Sequence, residues 1–385
     1  MHFEFLSPVE NVVLAHNQLL PKQTLGKSIV IHSESNGIPD LEGVKIAIVG
    51  VDETRNAIIK PKEKLKLSTI RVELYKLFLG NWSTGIADLG NIQPGETVDD
   101  TYFALSKLVE DLLSKNIIPI VIGGSQDLCY AIYRGYDKLS QMVNMVSVDS
   151  RFDFGIADEL ISSQSYMSKI IVEKPNNLFN FSNIGFQTYF NAQEEIDLMD
   201  KLFFDAYRLG EVINNITLVE PILRDADVVS IDMASVKASE LGNIPQASPN
   251  GFDGREICAI SRYAGISDRV SVFGIFECHN TLQFSQLTAQ IIWYFIEGIN
   301  FRKKDYPFLK EEDYDKYIVP IEEEELYFYK SNLSGRWWME MPQIKKINNK
   351  LKTHALLPCI HQDYIDACNS IIPERWWKAL KKITY

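Results

Sequence analysis

The stretch Ile117–Asp127 reads IIPIVIGGSQD, and the stretch Met145–Asp153 reads MVSVDSRFD. Each begins with a largely apolar run rich in Val, Ile or Met, which is typical of a strand buried on both faces of a sheet. Each run then ends in Gly or polar residues. The two stretches therefore predict parallel strands whose carboxyl ends carry polar side chains at one edge of the sheet.

The same alternation of short apolar runs and longer helical stretches continues along the chain. The predicted strands are Val44–Val51, Ile117–Ile122, Met145–Asp149, Asn183–Phe186, Val228–Asp232 and Val270–Glu277. The predicted helices are Thr69–Leu79, Asp99–Ser114, Asp127–Tyr136, Ala192–Leu209, Val212–Arg224, Asp253–Ala264 and Leu282–Ile299. Strands that alternate with helices predict an α/β fold of three layers, a parallel β-sheet with helices on both faces.

Five strand ends carry polar or Gly residues that face the same predicted edge. They are GGSQD at Gly123–Asp127, DSRFD at Asp149–Asp153, GFQ at Gly185–Gln187, IDMAS at Ile231–Ser235 and ECHN at Glu277–Asn280. Since ligand sites form at the carboxyl ends of parallel strands, we expect these segments to converge on one crevice. The alternative is that junctions between strands and loops are polar in any protein.

The balance of charge argues against a nucleic-acid partner. The 385 residues include 39 Lys and Arg against 51 Asp and Glu, a net charge of −12. An acidic chain is repelled by phosphate backbones unless a local basic patch exists. The run Lys60–Lys66 is short and is better explained as a solvated loop.

The sequence predicts a cytoplasmic protein that does not insert into a membrane. The first residues, MHFEFLSPVENVV, lack the basic and apolar regions of a secretory signal. The apolar stretch Thr281–Gly298 contains three Gln and a Glu, which indicates an amphipathic core helix. The cysteines are few and show no paired spacing, so we expect reduced thiols. They are Cys129, Cys258, Cys278, Cys359 and Cys368.

The chain is divided into an N-terminal segment (1–40), an α/β domain (41–305) and a C-terminal extension (306–385). In the extension, Leu326–Ser331 and Arg336–Met341 flank a turn-like sequence and predict a β-hairpin. Pro373 fits the first turn of a helix over the ERWWKALKKI sequence that follows it.

The extension is rich in tryptophan, with two Arg-Trp-Trp triplets at 336–338 and 375–377. Trp is enriched at interfaces because it combines a large apolar area with a polar N–H. We therefore expect either a site for a protein partner or docking of the extension on the core. The four side chains are Trp337, Trp338, Trp376 and Trp377.

The order and spacing of the strand-end motifs resemble those of the ureohydrolases, the superfamily of arginase, agmatinase and formimidoylglutamase. The resemblance covers roughly residues 44–300. GGSQD stands where that family has GGDHS, DSRFD where it has D-A-H-x-D, and Ser230–Ala234 (SIDMA) where it has S-x-D-x-D. Glu277 opens the last motif, and Gly185–Gln187 matches a family G-[IF]-[QR] turn. The resemblance implies an arginase-like fold and a trimeric or hexameric homo-oligomer.

The resemblance also implies a site for two manganese ions, which family members bind through two histidines and four aspartates. The matching positions here are Gln126, Asp149, Arg151, Asp153, Asp232 and Ala234. Both histidines and one aspartate are therefore replaced. The residual candidates for a metal are Gln126, Asp149, Asp153 and Asp232. No cofactor is expected, with one weakly held manganese ion as the alternative.

The loss of histidine does not depend on the alignment. No histidine lies between residues 33 and 278, a span that contains nearly the whole predicted core. The six histidines of the chain are His2, His16, His32, His279, His354 and His361.

Arg151 is the most informative replacement. A guanidinium is always cationic and has no lone pair for a metal, but it can balance carboxylates. We predict that it takes the place of the second ion and donates a hydrogen bond to Asp149, Asp153 or Asp232. The alternative is a side chain directed into solvent.

Two functions remain open from the sequence. In the first, the protein is a pseudoenzyme without catalytic residues, whose crevice (Gly124, Gln126, Arg151, Gln187 and Glu277) or extension binds a ligand or partner. Ser162–Met167 lacks the histidine that family members use for proton transfer, and Glu277 alone gives a substrate contact without a nucleophile. In the second, a single metal cleaves a C–N bond of an amidine such as formiminoglutamate.

Three further motifs have ordinary explanations. Cys278 and His279 are adjacent on a strand and point to opposite faces, so they are not expected to form a nucleophile–base pair. Cys359, His361 and Cys368 lack a paired Cys-x-x-Cys. Gly123-Gly124 is better explained as a tight turn than as a phosphate cradle.

Overall fold

The computed structural model describes residues 2–61, 63–139, 141–155, 160–242, 244–245, 247–306, 311–321, 324–341 and 356–384. His354 lies outside these ranges. Within them the first ten strands are β1 (Leu6–Ser7), β2 (Val30–Ile31), β3 (Val44–Val51), β4 (Gly85–Ile92), β5 (Ile118–Ile122), β6 (Val143–Val148), β7 (Leu178–Phe186), β8 (Asp205–Arg208), β9 (Val228–Asp232) and β10 (Val272–Phe276). They form one sheet in the order β1-β4-β3-β5-β10-β9-β6-β7-β8, with β2 beside β4. Apart from β1, which is antiparallel to β4, the described pairs are parallel.

Helices cover both faces of this sheet. They are α1 (Asn11–Gln18), α2 (Leu25–Ser28), α3 (Leu67–Tyr75), α4 (Val98–Ser114), α5 (Leu128–Arg134), α6 (Tyr166–Val172), α7 (Gln193–Lys201), α8 (Leu209–Asn214), α9 (Val219–Arg224), α10 (Ala238–Leu241), α11 (Gly254–Ile266) and α12 (Leu282–Asn300). Short 3₁₀ turns occur at Phe3–Phe5, Thr188–Phe190, Ile216–Leu218, Met233–Ser235 and Glu311–Asp313.

Two hydrophobic cores lie on opposite faces of the sheet. Along β3, Ile46 and Ile48 join the core beneath α3, α11 and α12, whereas Ala47 and Val49 join the core beneath α4, α5 and α6. Successive residues of a strand point to opposite faces, so an apolar run without alternation supplies both cores. The predicted three-layer α/β fold is confirmed.

The predicted helix Ala192–Leu209 was wrong in its second half. Helix α7 ends at Lys201, Phe203 has a left-handed φ of 55°, and the chain then forms strand β8. The left-handed residue reverses the direction of the chain, which a continuous helix cannot do. The predicted helix Val212–Arg224 is divided in the same way, into α8, a 3₁₀ turn and α9.

Strand β4 was missed because its sequence contains a buried carboxylate, Asp88, whose ion-pair partner lies in α3. Asp88 is fully buried, and its carboxylate accepts hydrogen bonds from Arg71 Nε (2.8 Å), Arg71 Nη2 (3.0 Å) and the Tyr75 hydroxyl (2.9 Å). Arg71 also donates to Asn91 (2.7 Å). Polar residues in a central strand interrupt the apolar run from which a buried strand is predicted. In the folded protein, residues from other elements form hydrogen bonds and ion pairs with them.

The C-terminal extension forms a second, antiparallel sheet with two helices in the described ranges. Its elements are β11 (Tyr314–Ile321), β12 (Glu324–Ser331), β13 (Trp337–Glu340), β14 (Leu356–Cys359), α13 (His361–Cys368) and α14 (Glu374–Thr384). The predicted hairpin is the β12–β13 pair, and the predicted helix after Pro373 is α14. Helix α12 ends at Asn300 and β11 begins at Tyr314; the division at residue 305 stays a prediction.

Three of the four tryptophans of the extension are buried. Trp337 and Trp376 pack in the core of the extension, and Trp338 lies against Arg224 of α9, 4.4 Å from its guanidinium carbon. Trp377 is 44% exposed. Most of the aromatic density therefore holds the extension together and docks it on the α/β core.

The described residues contain no helix with the length and apolar character that crossing a membrane requires. All five cysteines are free thiols, as predicted, and four of them are buried.

Candidate functional site

The carboxyl ends of β6, β9 and β10 open into a cavity of about 240 Å³. Arg151, Asp232, Ala234 and Glu277 line it, and we call it the Glu277 cavity. An adjoining cavity of about 510 Å³, the Asp153 cavity, has several of the same walls. The residues that line both cavities are Ile58, Arg151, Gln164 and Phe190.

The other predicted crevice residues, Gly124, Gln126 and Gln187, do not line either cavity. The Glu277 N–H donates to the Gly124 carbonyl (3.0 Å), and Gln187 Nε2 donates to the Asn250 carbonyl (2.8 Å). Gln126 and Asp149 are buried and line neither cavity. The structure therefore brings Arg151, Asp232 and Glu277 into the Glu277 cavity and Asp153 into the adjoining one, whereas the other predicted residues (Gly124, Gln126, Asp149 and Gln187) line neither.

Three carboxyl groups cluster below the crevice. Asp149, Asp153 and Asp232 are 1%, 3% and 8% exposed. Asp149 Oδ1 accepts the Arg151 N–H (2.8 Å), and Asp232 Oδ1 accepts the Ala234 N–H (2.6 Å). Asp149 Oδ2 and Asp153 Oδ2 are buried without a hydrogen-bond partner among the described residues. Unsatisfied buried oxygens indicate protonation, a bound water or a bound cation.

Burial is the main cause of the raised pKa values in this cluster. Burial, and next the charges of the neighbouring aspartates, raise the pKa of Asp149 and Asp153 well above the usual value. Burial also raises the pKa of Asp232 to about 6. The pKa of Glu277 rises to about 8, through burial first and the Asp232 charge second. At neutral pH the crevice therefore holds part of its acidic groups as neutral carboxylic acids.

Asp153 and Glu277 both have left-handed backbone conformations, with φ of 57° and 54°. Such conformations are costly for residues other than Gly, and they concentrate at functional sites. Glu277 Oε1 accepts the Gln126 N–H (3.0 Å), which fixes the carboxyl group at the crevice wall.

Gln126, which the motif resemblance aligns with a family histidine, is directed toward hydroxyl groups of the core. Its Nε2 lies 3.4 Å from Ser147 Oγ, 3.4 Å from Ser230 Oγ and 3.5 Å from the Tyr166 hydroxyl. Its Oε1 is buried without a partner in the described part of the chain. Rotating the amide by 180° would present the oxygen to hydroxyls that can donate. In either orientation the three hydroxyls position this side chain.

The predicted hydrogen bond from the Arg151 guanidinium to the carboxylates was wrong. Arg151 Nη1 donates to the Phe190 carbonyl (2.7 Å), and the guanidinium carbon lies 4.6 Å from the centroid of the Phe190 ring. No ion pair joins it to a carboxylate of the described residues. Its charge still opposes the rise in the pKa of Asp153 and Asp232 that burial causes. Arg151 therefore balances the cluster at a distance, because the aromatic ring and the carbonyl hold it at the crevice wall.

Two positioning residues could not be found from the sequence. Phe190 lies in a 3₁₀ turn after β7, and the adjacent Asn191 is buried. Asn191 Nδ2 donates to the Ser150 carbonyl (3.0 Å), and its Oδ1 accepts the Phe152 N–H (2.8 Å). Asn191 thus fixes the loop that carries Arg151. Residues in irregular turns have no periodic signal; the only clue was their place after the GFQ motif.

Cys278 and His279 do not lie on a strand as predicted, because β10 ends at Phe276 and Glu277 has a left-handed φ; the two side chains nevertheless have separate partners. Cys278 Sγ lies 3.7 Å from the Ile275 carbonyl, and the His279 ring packs against Phe284 with centroids 6.1 Å apart.

The sequence profile of the arginase family matches residues 46–299. The chain belongs to the arginase family. Among curated relatives, it is 23% identical over 283 residues to the formimidoylglutamase of Streptococcus gordonii, covering 66% of this chain and 84% of that protein. It is 24% identical over 220 residues to the formimidoylglutamase of a Geobacillus species, covering 54% and 67%.

Solved structures of this family have the same fold. The formiminoglutamase of Trypanosoma cruzi with manganese aligns at a TM-score of 0.62 and 18% identity, covering 69% of this chain and 96% of that one. The formimidoylglutamase of Bacillus subtilis aligns at 0.61 and 17%, covering 71% and 91%. The family profile ends at residue 299, so its match does not include the C-terminal extension.

The side chains of this arginase-family chain do not fit a two-manganese centre. Arg151 and Ala234 have no donor atom for a metal in their side chains, and both line the crevice where two ligands would be needed. Among the described His, Cys, Asp and Glu residues, no group of three or more is arranged to hold a metal ion.

Proposed function

We propose that this arginase-family protein is catalytically impaired and uses its crevice to bind a ligand without hydrolysing it. The observation that carries the proposal is the pair of residues at the second metal position. Arg151 contributes a fixed cation and Ala234 a methyl group, and neither can help a metal ion to acidify water. The crevice nevertheless contains two cavities of about 240 and 510 Å³, which favours a binding role.

The absence of a proton-transfer group supports the same proposal. In the Ser162–Met167 segment, Ser162 Oγ and Ser165 Oγ are hydrogen-bonded to each other (2.8 Å). Tyr166 is fully buried beside Gln126, and burial raises the pKa of its hydroxyl well above the usual value. Ser163 lines the Glu277 cavity but is a poor base on its own.

An assay of hydrolysis tests the proposal directly. The purified chain is incubated with manganese and, in turn, formiminoglutamate, agmatine and arginine, with the Bacillus subtilis formimidoylglutamase as a positive control. We expect no turnover above the buffer blank. Manganese-dependent turnover that is lost in Asp232→Asn would overturn the proposal.

A second candidate is a hydrolase with a single metal ion. Three buried oxygens without a hydrogen-bond partner among the described residues favour it: Gln126 Oε1, Asp149 Oδ2 and Asp153 Oδ2. Carboxylate and amide oxygens suit manganese, and the Arg151 cation opposes it. If this candidate is correct, the chain should bind one equivalent of manganese and turn over the substrate, and Asp153→Asn should abolish the turnover. If the binding proposal is correct, neither the unchanged chain nor the Asp153→Asn variant should show turnover.

A protein partner on the extension is a separate part of the proposal. Trp377 is exposed, and it packs edge-to-face on the buried Trp376 with centroids 5.4 Å apart. Exposed Trp side chains on a rigid support are typical of binding hot spots. Trp377→Ala should then weaken capture of a partner or homo-oligomer formation without unfolding the extension, as measured by light scattering. An unchanged assembly state and unchanged partner capture would rule out this surface.

A further inference from the structure

A cavity of about 50 Å³, which we call the interface cavity, lies between the C-terminal extension and the α/β core. Its core wall includes Asn144 and Asn180, near the amino ends of the parallel strands β6 and β7, so it lies at the sheet edge opposite to the crevice. Its other wall includes residues of β14 and α14. Because the family profile ends at residue 299, the arginase-family match does not account for this cavity.

Helix α14 directs three basic side chains toward the interface cavity. Arg375, Lys378 and Lys382 line it, and their spacing of three and four residues places them on one face of the helix. Their side chains are 25%, 26% and 9% exposed. Basic residues of a surface helix ordinarily face solvent, so this buried basic face requires groups that balance its charge.

The carboxylates that line the cavity do not balance this face completely. Asp205 lies 3.2 Å from Lys378 Nζ and 4.0 Å from Lys382 Nζ, so two ammonium groups share one carboxylate. The second carboxylate, that of Asp225, pairs with Arg269 (2.8 Å), which does not line the cavity. One positive charge of the basic face therefore has no carboxylate of its own in the cavity wall.

The surplus charge is that of Lys382. Arg375 Nε lies 3.5 Å from Asp363, and Lys378 Nζ lies 3.1 Å from Glu374, whose side chain is 81% exposed. In the described part of the chain, the Asp205 carboxylate at 4.0 Å is the ion-pair partner of Lys382, whose Nζ donates to the neutral Asn180 Oδ1. Burial is the largest cause that lowers the pKa of Lys382, so a charge at this position costs free energy.

The size of the cavity and its donors suit a small oxyanion. A water molecule needs about 10–15 Å³ of such space, so this cavity has room for a few waters or one tetrahedral ion. Ser182 also lines it, and its Oγ accepts a hydrogen bond from Asn180 Nδ2 (3.1 Å), which leaves the hydroxyl hydrogen to donate. Ammonium, guanidinium and hydroxyl donors together match the acceptors of a phosphate ion.

We propose that the interface cavity binds an inorganic oxyanion of the size of phosphate, held by Lys382, Lys378 and Arg375, and that this anion fastens α14 to the core. The inference concerns the extension and is independent of the function proposed for the crevice. Since the walls of the cavity come from both parts of the chain, the anion binds the docked form and stabilises it by mass action.

Calorimetric titration of the full chain with sodium phosphate tests the inference. Sodium chloride at matched ionic strength controls for screening, and the net charge of −12 opposes non-specific binding of anions. We expect one site, competition by sulfate, and chloride binding at least about tenfold weaker than phosphate. Absence of binding beyond the chloride control would overturn the inference.

A pair of neighbouring variants locates the site. Lys382→Gln removes the charge, keeps a donor for Asn180 Oδ1, and should weaken phosphate binding about tenfold or more. Lys381→Gln makes the same charge change at an exposed position that does not line the cavity, and should bind phosphate as the unchanged chain does. Circular dichroism checks that both variants are folded. Equal affinities in the two variants would place the anion elsewhere and reject the inference.

Selenate soaked into crystals of the unchanged chain gives a measurement that needs no variant. An anomalous peak beside Lys382 Nζ is expected, and peaks at the protein surface alone would contradict the site. Phosphate at ten times its dissociation constant should also slow proteolytic release of the extension about tenfold, because only the docked form binds it. A release rate that phosphate and matched chloride affect equally would refute the role in docking.

Discussion

Arg151 Nη1 donates a 2.7 Å hydrogen bond to the Phe190 carbonyl, and the guanidinium carbon lies 4.6 Å from the centroid of the same residue's ring. One residue, Phe190, therefore holds the guanidinium that the motif register aligns with a family metal ligand. It holds this group at the wall of the crevice rather than in the centre of the carboxyl cluster. The crevice stays open while the cluster keeps a balancing charge nearby.

Replacing Arg151 with alanine should lower the free energy of unfolding by about 1–2 kcal/mol, the sum of a cation–π contact and a hydrogen bond to a charged donor. The side chain is half-buried, so the larger cost of a dry ion pair does not apply. Urea denaturation gives the value. Arg255→Ala, whose side chain is 87% exposed, is the control and should change stability by less than about 0.5 kcal/mol.

Restoring ligand side chains at positions 151 and 234 should restore binding of a second manganese ion. Ala234 lines the Glu277 cavity, so an aspartate there would add a carboxylate to the crevice beside Asp232. The double variant Arg151→His with Ala234→Asp should gain a calorimetrically measurable second-manganese affinity, whereas Arg151→His alone should gain little. A well-folded double variant without that gain would show that the motif register is wrong.

The raised pKa of Glu277 gives stability a definite pH dependence. In the unfolded chain this group titrates near 4.5, and in the folded protein its pKa is about 8. Between these values the unfolded chain loses the proton first, so stability should fall as pH rises from about 5 to 8, by at most about 1.4 kcal/mol per pH unit for this group. Above the folded pKa this contribution becomes flat.

Glu277→Gln keeps an acceptor for the Gln126 N–H and should make that slope shallower in denaturation measured in a chelating buffer, leaving the part that Asp149, Asp153 and Asp232 contribute. Glu312→Gln, at an exposed position of the extension, is the control and should leave the slope unchanged. A variant at position 277 with the same slope as the unchanged chain would show that another group causes the pH dependence.

Arg224 should govern docking of the extension. Its Nη2 donates to the Cys359 carbonyl (3.0 Å), its guanidinium stacks on Trp338, and its Nε lies 3.3 Å from Glu220. Arg224→Ala removes the donor to the Cys359 carbonyl and the cation on Trp338, whereas Glu220 keeps Arg336 at 3.1 Å, and the loss should cost about 2–4 kcal/mol. Limited proteolysis should then release the extension near residue 305, which the unchanged chain should resist. Lys316→Ala, on an exposed position of β11, is the control.

The elements that could be predicted from sequence were those with a strong local pattern. The apolar runs of β3 and β9 predicted Val44–Val51 and Val228–Asp232 with their observed bounds. Strand β4 contains Asp88, and only the distant Arg71 explains why a carboxylate lies in a central strand. Such a pairing depends on tertiary contacts that a sequence pattern does not contain.

The sequence predicted which residues meet at the site, but it did not predict the contacts that they make there. The order of the motifs brought Arg151, Asp232 and Glu277 together because the carboxyl ends of parallel strands meet at one edge. The direction of the Arg151 side chain depends on Phe190, which lies in an irregular turn 39 residues later. Opposite charges suggested a carboxylate partner, but a carbonyl and an aromatic ring from that turn hold the guanidinium instead.

Manganese titration into the metal-free chain, followed by elemental analysis after desalting, tests the central claim most directly. The account predicts weak binding and fewer than two retained ions per chain, because Arg151 and Ala234 supply no ligand to a second ion. Two tightly retained manganese ions per chain would contradict it.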